Sequence, residues 1–165
     1  MDSLLSRRTL LRSSLIAGLS AEVLEALQHA HESAQSGDGK LQYLDLQAAA
    51  EIEALAAQII PSDDGPGARE AGVIYFIDRA LATFDRDQRE IYRTGLAVAG
   101  GTGSIASIEH TEFFEALRKH VVMGFLANPA WGGNRDKVGW KLIGFEDAGA
   151  FQPPFGYYDT PGNME

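Results

Sequence analysis

The chain contains no cysteine. That excludes disulfides, thiolate catalysis, cysteine-held iron–sulfur clusters and covalent haem through a C-x-x-C-H motif. It leaves the redox compartment open, because a thiol-free chain tolerates oxidising and reducing surroundings alike. Long apolar runs are missing too. The clearest one, Leu15-Ile16-Ala17-Gly18-Leu19, is cut off by Glu22 and Glu25, whereas a bilayer-spanning helix needs about 20 apolar residues. Basic residues are in short supply: 14 Lys+Arg stand against 23 Asp+Glu, a net charge of −9 over 165 residues. Phosphate binding rests on clustered Lys and Arg, so this balance argues against nucleic acid as a partner. It argues equally against an anionic membrane surface, the N-terminus excepted. No G-x-G-x-x-G or phosphate loop is present, and no Ser/His/Asp set has supporting context.

What the chain does have begins at its front. Residues 1–12 hold three of the bases, Arg7, Arg8 and Arg12, and one acid, Asp2, leaving 11 bases against 22 acids, or −11, for the remainder. Ser6-Arg7-Arg8-Thr9-Leu10-Leu11-Arg12 fits the twin-arginine export pattern, and the short apolar run follows it as in a signal peptide. Gly18-Leu19-Ser20 and Ala34-Gln35-Ser36 are both small-x-small cleavage candidates. Ser20 alternatively N-caps a helix with Leu19, Val23, Leu27 and Ala30 or His31 on one face, and the signal then stays on the mature protein. Residues 33–40, SAQSGDGK, read as a linker.

The rest predicts an all-α fold. Leu46–Ile60 carries Leu46, Ala49, Ile52, Leu55, Ala56 and Ile59 at helical spacing, with Asp45 as N-cap and Pro61 as the stop. Glu70–Phe84 shows a stripe of Val73, Phe76, Ile77, Ala80, Leu81 and Phe84. The charged stretch Asp85–Arg93 leads into a third helix that fades at Gly100–Gly103. Thr111 caps a fourth, with Phe114, Leu117, Val121 and Phe125 facing inward and Asn128-Pro129 closing it. From Pro129 onward the texture changes: seven of the chain's 15 aromatics fall there, among seven glycines and four prolines. Three parts follow: a signal-like segment and linker over 1–40, a helical domain over 41–128, and an extended aromatic arm over 129–165.

Candidates for chemistry are few. His29 and His31 are two apart, on different faces of a helix, and His110 and His120 lack a partner set, so all four read as surface or cap histidines. Pro61–Gly67 lacks the alternating oxygens and distal Glu of a calcium loop and reads as a turn. Trp131-Gly132-Gly133-Asn134-Arg135-Asp136 is either a ligand loop or a tight corner seating the tryptophans. No catalytic residue, cofactor site or metal site is expected.

Two stretches, "AQIIPSDDGPGAREAGVIYFIDRAL" (57–81) and "NPAWGGNRDKVGWKLIGF" (128–145), strongly resemble the gluconate 2-dehydrogenase subunit 3 family, with Trp131 where relatives carry Tyr. The resemblance spans about residues 46–145 and includes the twin-arginine start. It implies a non-catalytic small subunit that binds no cofactor. Its partner would be a large catalytic subunit of the glucose-methanol-choline (GMC) type, which holds FAD and passes electrons to a c-type cytochrome or an equivalent carrier. The arginines would then engage the twin-arginine translocase and carry the complex to the periplasm, at the inner membrane. On that reading Arg7 and Arg8 form the export signal. Trp131, Asn134, Arg135, Trp140, Phe151, Phe155, Tyr157 and Tyr158 are the candidate partner interface. Two alternatives stand beside it: a peripheral membrane anchor using residues 7–30, and an independent helical ligand-binding protein using the Trp131–Asp136 loop.

Overall fold

Asp45 opens the helix that follows it as its side chain dictates. Its backbone is extended (φ −76°, ψ 167°) and its carboxylate accepts the Ala48 N–H at 2.8 Å, which caps α1, Leu46–Ile59. Pro61 follows the last turn and the chain leaves. The computed structural model describes Ala21, Val23 and residues 40–101 and 103–148. Arg7, Arg8, the 33–39 linker, His29, His31, Phe151, Phe155, Tyr157 and Tyr158 lie outside the described residues.

The turn after Pro61 is knitted by Glu70. Its carboxylate accepts the Ser62 hydroxyl at 2.5 Å and the Gly67 N–H at 2.8 Å. Gly67 itself lies against the chain just passed: an added Cβ would fall 2.5 Å from the Ile60 carbonyl oxygen. Residues 67–72 therefore turn, and α2 spans only Val73–Ala82, shorter at both ends than the expected Glu70–Phe84. Gly72 stands before it in the left-handed region (φ 65°), and Thr83 ends it by bonding back to Arg79 and Ala80. Phe84, placed in the apolar stripe by its spacing, falls past that stop and is 55% exposed.

α3 (Arg89–Ala99) stops at Gly100 in the left-handed region, where glycine has no steric penalty. α4 (Glu112–Leu126) starts at Thr111, whose hydroxyl accepts the Phe114 N–H at 3.2 Å. Its buried row is Phe113, Leu117, His120, Val121, Gly124 and Phe125. Phe114, expected inward, is half-buried beside that row; Phe113 holds the inner position. α4 packs on α1, α2 and α3, and the core between them is built from Ile52, Leu55, Phe76, Ile77, Tyr92 and Leu117, all at most 1% exposed apart from their neighbours. Gly95 on α3 lets α4 come close: a Cβ there would meet Phe113 at 2.0 Å.

Two features tie the chain ahead of α1 to this core. Asp78, 1% exposed on α2, accepts the N–H groups of Gln42, Tyr43 and Leu44 at 2.6, 3.0 and 2.8 Å. The Arg89 guanidinium lies 4.2 Å from the centre of the Tyr43 ring.

The segment after Pro129 differs from the expected extended arm. Residues 129–131 and 135–137 form tight turns and Val138–Leu142 forms a short helix, α5, packed on α4. Among the described residues this is a folded corner of the helical domain, and no strand occurs.

Candidate partner-binding face

The corner is welded to the helices at its glycines and at Asn134. A Cβ on Gly133 would lie 2.1 Å from the Gly124 carbonyl oxygen, and one on Gly139 would lie 1.9 Å from that of Phe125. Only glycine permits both approaches. Asn134 is 0% exposed and sits in the left-handed region (φ 48°), which asparagine tolerates well. Its Nδ2 donates to the Ala127 carbonyl at 2.9 Å and its Oδ1 accepts the Gly139 N–H at 2.8 Å. Asn134 thus holds the corner together from inside. It offers no surface, and its place in the candidate interface is withdrawn.

The other proposed interface residues separate in the same way. Arg135 bonds through its N–H to the Ala71 carbonyl at 2.9 Å, and its guanidinium lies 5.5 Å from the Tyr75 ring centre. Trp140 is half-buried, donates its Nε1–H to the Leu126 carbonyl at 2.7 Å and lies 5.1 Å from Phe145, the two rings tilted by 56°. Trp131 is 59% exposed. With Phe84 it walls a hollow of about 300 Å³, completed by Gln42, Arg79, Thr83 and Ala130. Arg79 is fixed there by its bond to the Ala130 carbonyl at 3.0 Å. On the other side of the corner Leu142, Ile143 and Phe145 are 65%, 59% and 49% exposed. These exposed apolar side chains make up the candidate partner-binding surface. Phe84, Leu142 and Ile143 were not legible as part of it. Phe84 read as the last member of the α2 stripe, and Leu142 and Ile143 stand in a stretch whose lack of periodicity singles out neither.

One buried polar line has the look of a catalytic relay. Asp85 Oδ2 lies 2.9 Å from His120 Nε2, and His120 Nδ1 lies 2.8 Å from the Tyr92 hydroxyl. His120 and Tyr92 are each 1% exposed. This corrects the surface reading of His120. Burial, with the Asp85 charge nearby, pushes the Tyr92 phenol well up, so it stays protonated. His120 thus bridges Tyr92 and Asp85 through its two ring nitrogens, which links α3, α4 and the loop between α2 and α3. Its spacing from Leu117, three residues, was the available signal. His110, by contrast, is exposed as expected.

Two carboxyls are shifted in opposite directions. Burial raises Glu51, against the pull of the Gly101 N–H at 2.8 Å. Burial would also raise Glu70, but the bonds from Ser62 and Gly67 and the nearby Arg69 charge outweigh it, and the group is held below the ordinary range. Among the described residues no cluster of three His, Asp or Glu is placed to hold a metal ion, and no helix is long and apolar enough to cross a membrane.

Residues 47–100, from the first turn of α1 to the end of α3, match the family model described as gluconate 2-dehydrogenase subunit 3. Through this segment, about a third of the chain, the protein is similar to the gluconate 2-dehydrogenase subunit 3 family. The description names a third subunit, so the family is that of a component of a multi-subunit dehydrogenase. The matched segment contains the Asp78 clasp, the Glu70 turn and Phe84. The corner at 128–145, which carries the second resembling motif, lies beyond the match. No curated protein and no solved structure matches the chain.

Proposed function

We propose that the chain is a non-catalytic small subunit of a periplasmic FAD-dependent sugar or glycoside dehydrogenase. It binds the GMC-type flavoprotein subunit, supports its folding and stability, and directs its export through the twin-arginine translocase. The match of residues 47–100 to a dehydrogenase subunit carries this reading. The exposed Trp131–Phe84 hollow and the Leu142–Phe145 ridge support it, since interface cores are rich in aromatics and poor in charge. FAD belongs to the large subunit in this reading, and a c-type cytochrome or equivalent carrier takes the electrons. Inner-membrane association comes through the complex.

The test is co-purification. A tagged full chain recovered from its host brings down a flavin-containing polypeptide. Phe84→Ala with Trp131→Ala weakens that recovery while leaving the melting temperature of the isolated chain within a degree or two. A hot-spot aromatic contributes about 2 kcal/mol, or about a thirtyfold change in affinity. Arg7→Lys with Arg8→Lys keeps both charges and removes the paired guanidinium groups. In that variant both chains remain in the cytoplasm. Full recovery of the flavoprotein by the double alanine variant rejects this face, and normal periplasmic oxidation in the lysine variant rejects the export role.

A further inference from the structure

The middle of α1 is buried on every side. Eight consecutive residues, Ala49 to Ala56, are each at most 5% exposed. A helix lying on one core buries a stripe and leaves the opposite face in water, so unbroken burial demands cover on both sides. The main core takes Ala49, Ile52, Leu55 and Ala56. Ala50 (0%) and Ala54 (2%), one turn apart on the other face, form a separate cluster with Val23 (0%). Two methyl groups make a shallow seat, and a branched side chain fits onto it closely. Further along, the Asp78 carboxylate grips three successive N–H groups at Gln42, Tyr43 and Leu44. The chain ahead of α1 is therefore fixed to the domain at two separate places.

We propose that the folded unit already includes Val23, so that any processing of the export segment ends before Ala21 and leaves Val23 on the mature chain. The inference rests on the export reading for its biological setting, but its physical content is the seat on Ala50 and Ala54. A cut at Ala34-Gln35-Ser36 would remove Val23 and bare both alanines. A cut at Gly18-Leu19-Ser20 keeps the seat filled, as does no cut at all. The folded unit then takes in Val23, ahead of the start expected at residue 41.

Intact-mass measurement and N-terminal sequencing of the exported chain read this directly. The expected mature chain starts at or before Ala21, and a start at Ser36 or later overturns the proposal. A second measurement needs no export. In the full-length chain Val23→Asp places a carboxylate on the alanine seat, and its Tm is expected to fall by about 5 °C or more, with Val23→Thr falling less. An unchanged Tm in both variants overturns the proposal. A chain that is never exported refutes the export reading, and the two melts then decide this one.

Discussion

Asn134→Ala removes both ends of a buried double hydrogen bond. The Ala127 carbonyl and the Gly139 N–H, now bonded at 2.9 and 2.8 Å, would be left facing a methyl group. An unsatisfied buried group costs about 1–3 kcal/mol. Alanine is also less at ease than asparagine at φ 48°, which adds up to about 1 kcal/mol. A loss of about 3–5 kcal/mol follows, or roughly 10 °C in Tm for a chain of this size. The chain's two tryptophans, Trp131 and Trp140, both sit on the corner that Asn134 holds. Intrinsic fluorescence therefore reports the corner, and far-ultraviolet circular dichroism reports the helices. Urea titration of the variant should show the fluorescence transition preceding the helical one, because the corner is released from α4 before α4 melts. Asn134→Asp keeps an acceptor for Gly139 but turns an oxygen toward the Ala127 carbonyl, so it should be at least as harmful. A loss below about 1 kcal/mol by both probes would refute the assignment of Asn134 as the internal tie.

Glu51→Gln tests the raised carboxyl. A folded-state pKa above the ordinary value of about 4.3 means that the favourable contribution is complete below that pH and lost as pH rises through the raised value. The glutamine amide still accepts the Gly101 N–H without charge, so its Tm should exceed that of the parent at pH 7.5 and show no gain at pH 4. Gly95→Ala sets a helix-propensity gain of up to about 1 kcal/mol against a methyl 2.0 Å from the Phe113 ring. Overpacking at about 1–3 kcal/mol wins, and thermal denaturation should show a net loss. Tyr92→Phe leaves His120 Nδ1 without its partner at 2.8 Å, for an expected cost of about 1–2 kcal/mol by urea unfolding.

What was legible in the sequence is what local chemistry decides. Asp45 and Thr111 cap their helices because a short oxygen-bearing side chain satisfies the free N–H groups wherever a helix starts. Gly100 ends α3 because the left-handed turn needs it. The misplaced ends of α2 show the limit of the same reading. Apolar spacing carries on through Phe84, but it cannot register that Glu70 is occupied by the Ser62–Gly67 turn or that Thr83 folds back on Arg79 and Ala80. A residue just past a helix stop looks, in a list of spacings, like the next member of the stripe.

The interface residues were less legible for a related reason. Trp131 and Trp140 are alike in the sequence, both tryptophans beside glycines in a stretch with no periodicity. What separates them lies on α4: the Leu126 carbonyl at the end of the helix takes the Trp140 indole N–H, and Trp131 stays 59% exposed. Asn134 and His120 show the converse. Both are polar, and polarity alone places them outside; each is drawn inside by partners that the fold supplies. For His120 these are Tyr92 and Asp85, 28 and 35 residues away. For Asn134 they are the Ala127 carbonyl and the Gly139 N–H on either side of the corner. A satisfied polar group buried in this way stabilises one arrangement over its near alternatives, because any shift that breaks the bonds leaves the groups unpaired. The corner is thereby a rigid mount, and the apolar surface it carries is pre-formed. On the proposed reading, binding through Trp131 and Phe84 would need little ordering, which would leave more of the burial free energy for the complex.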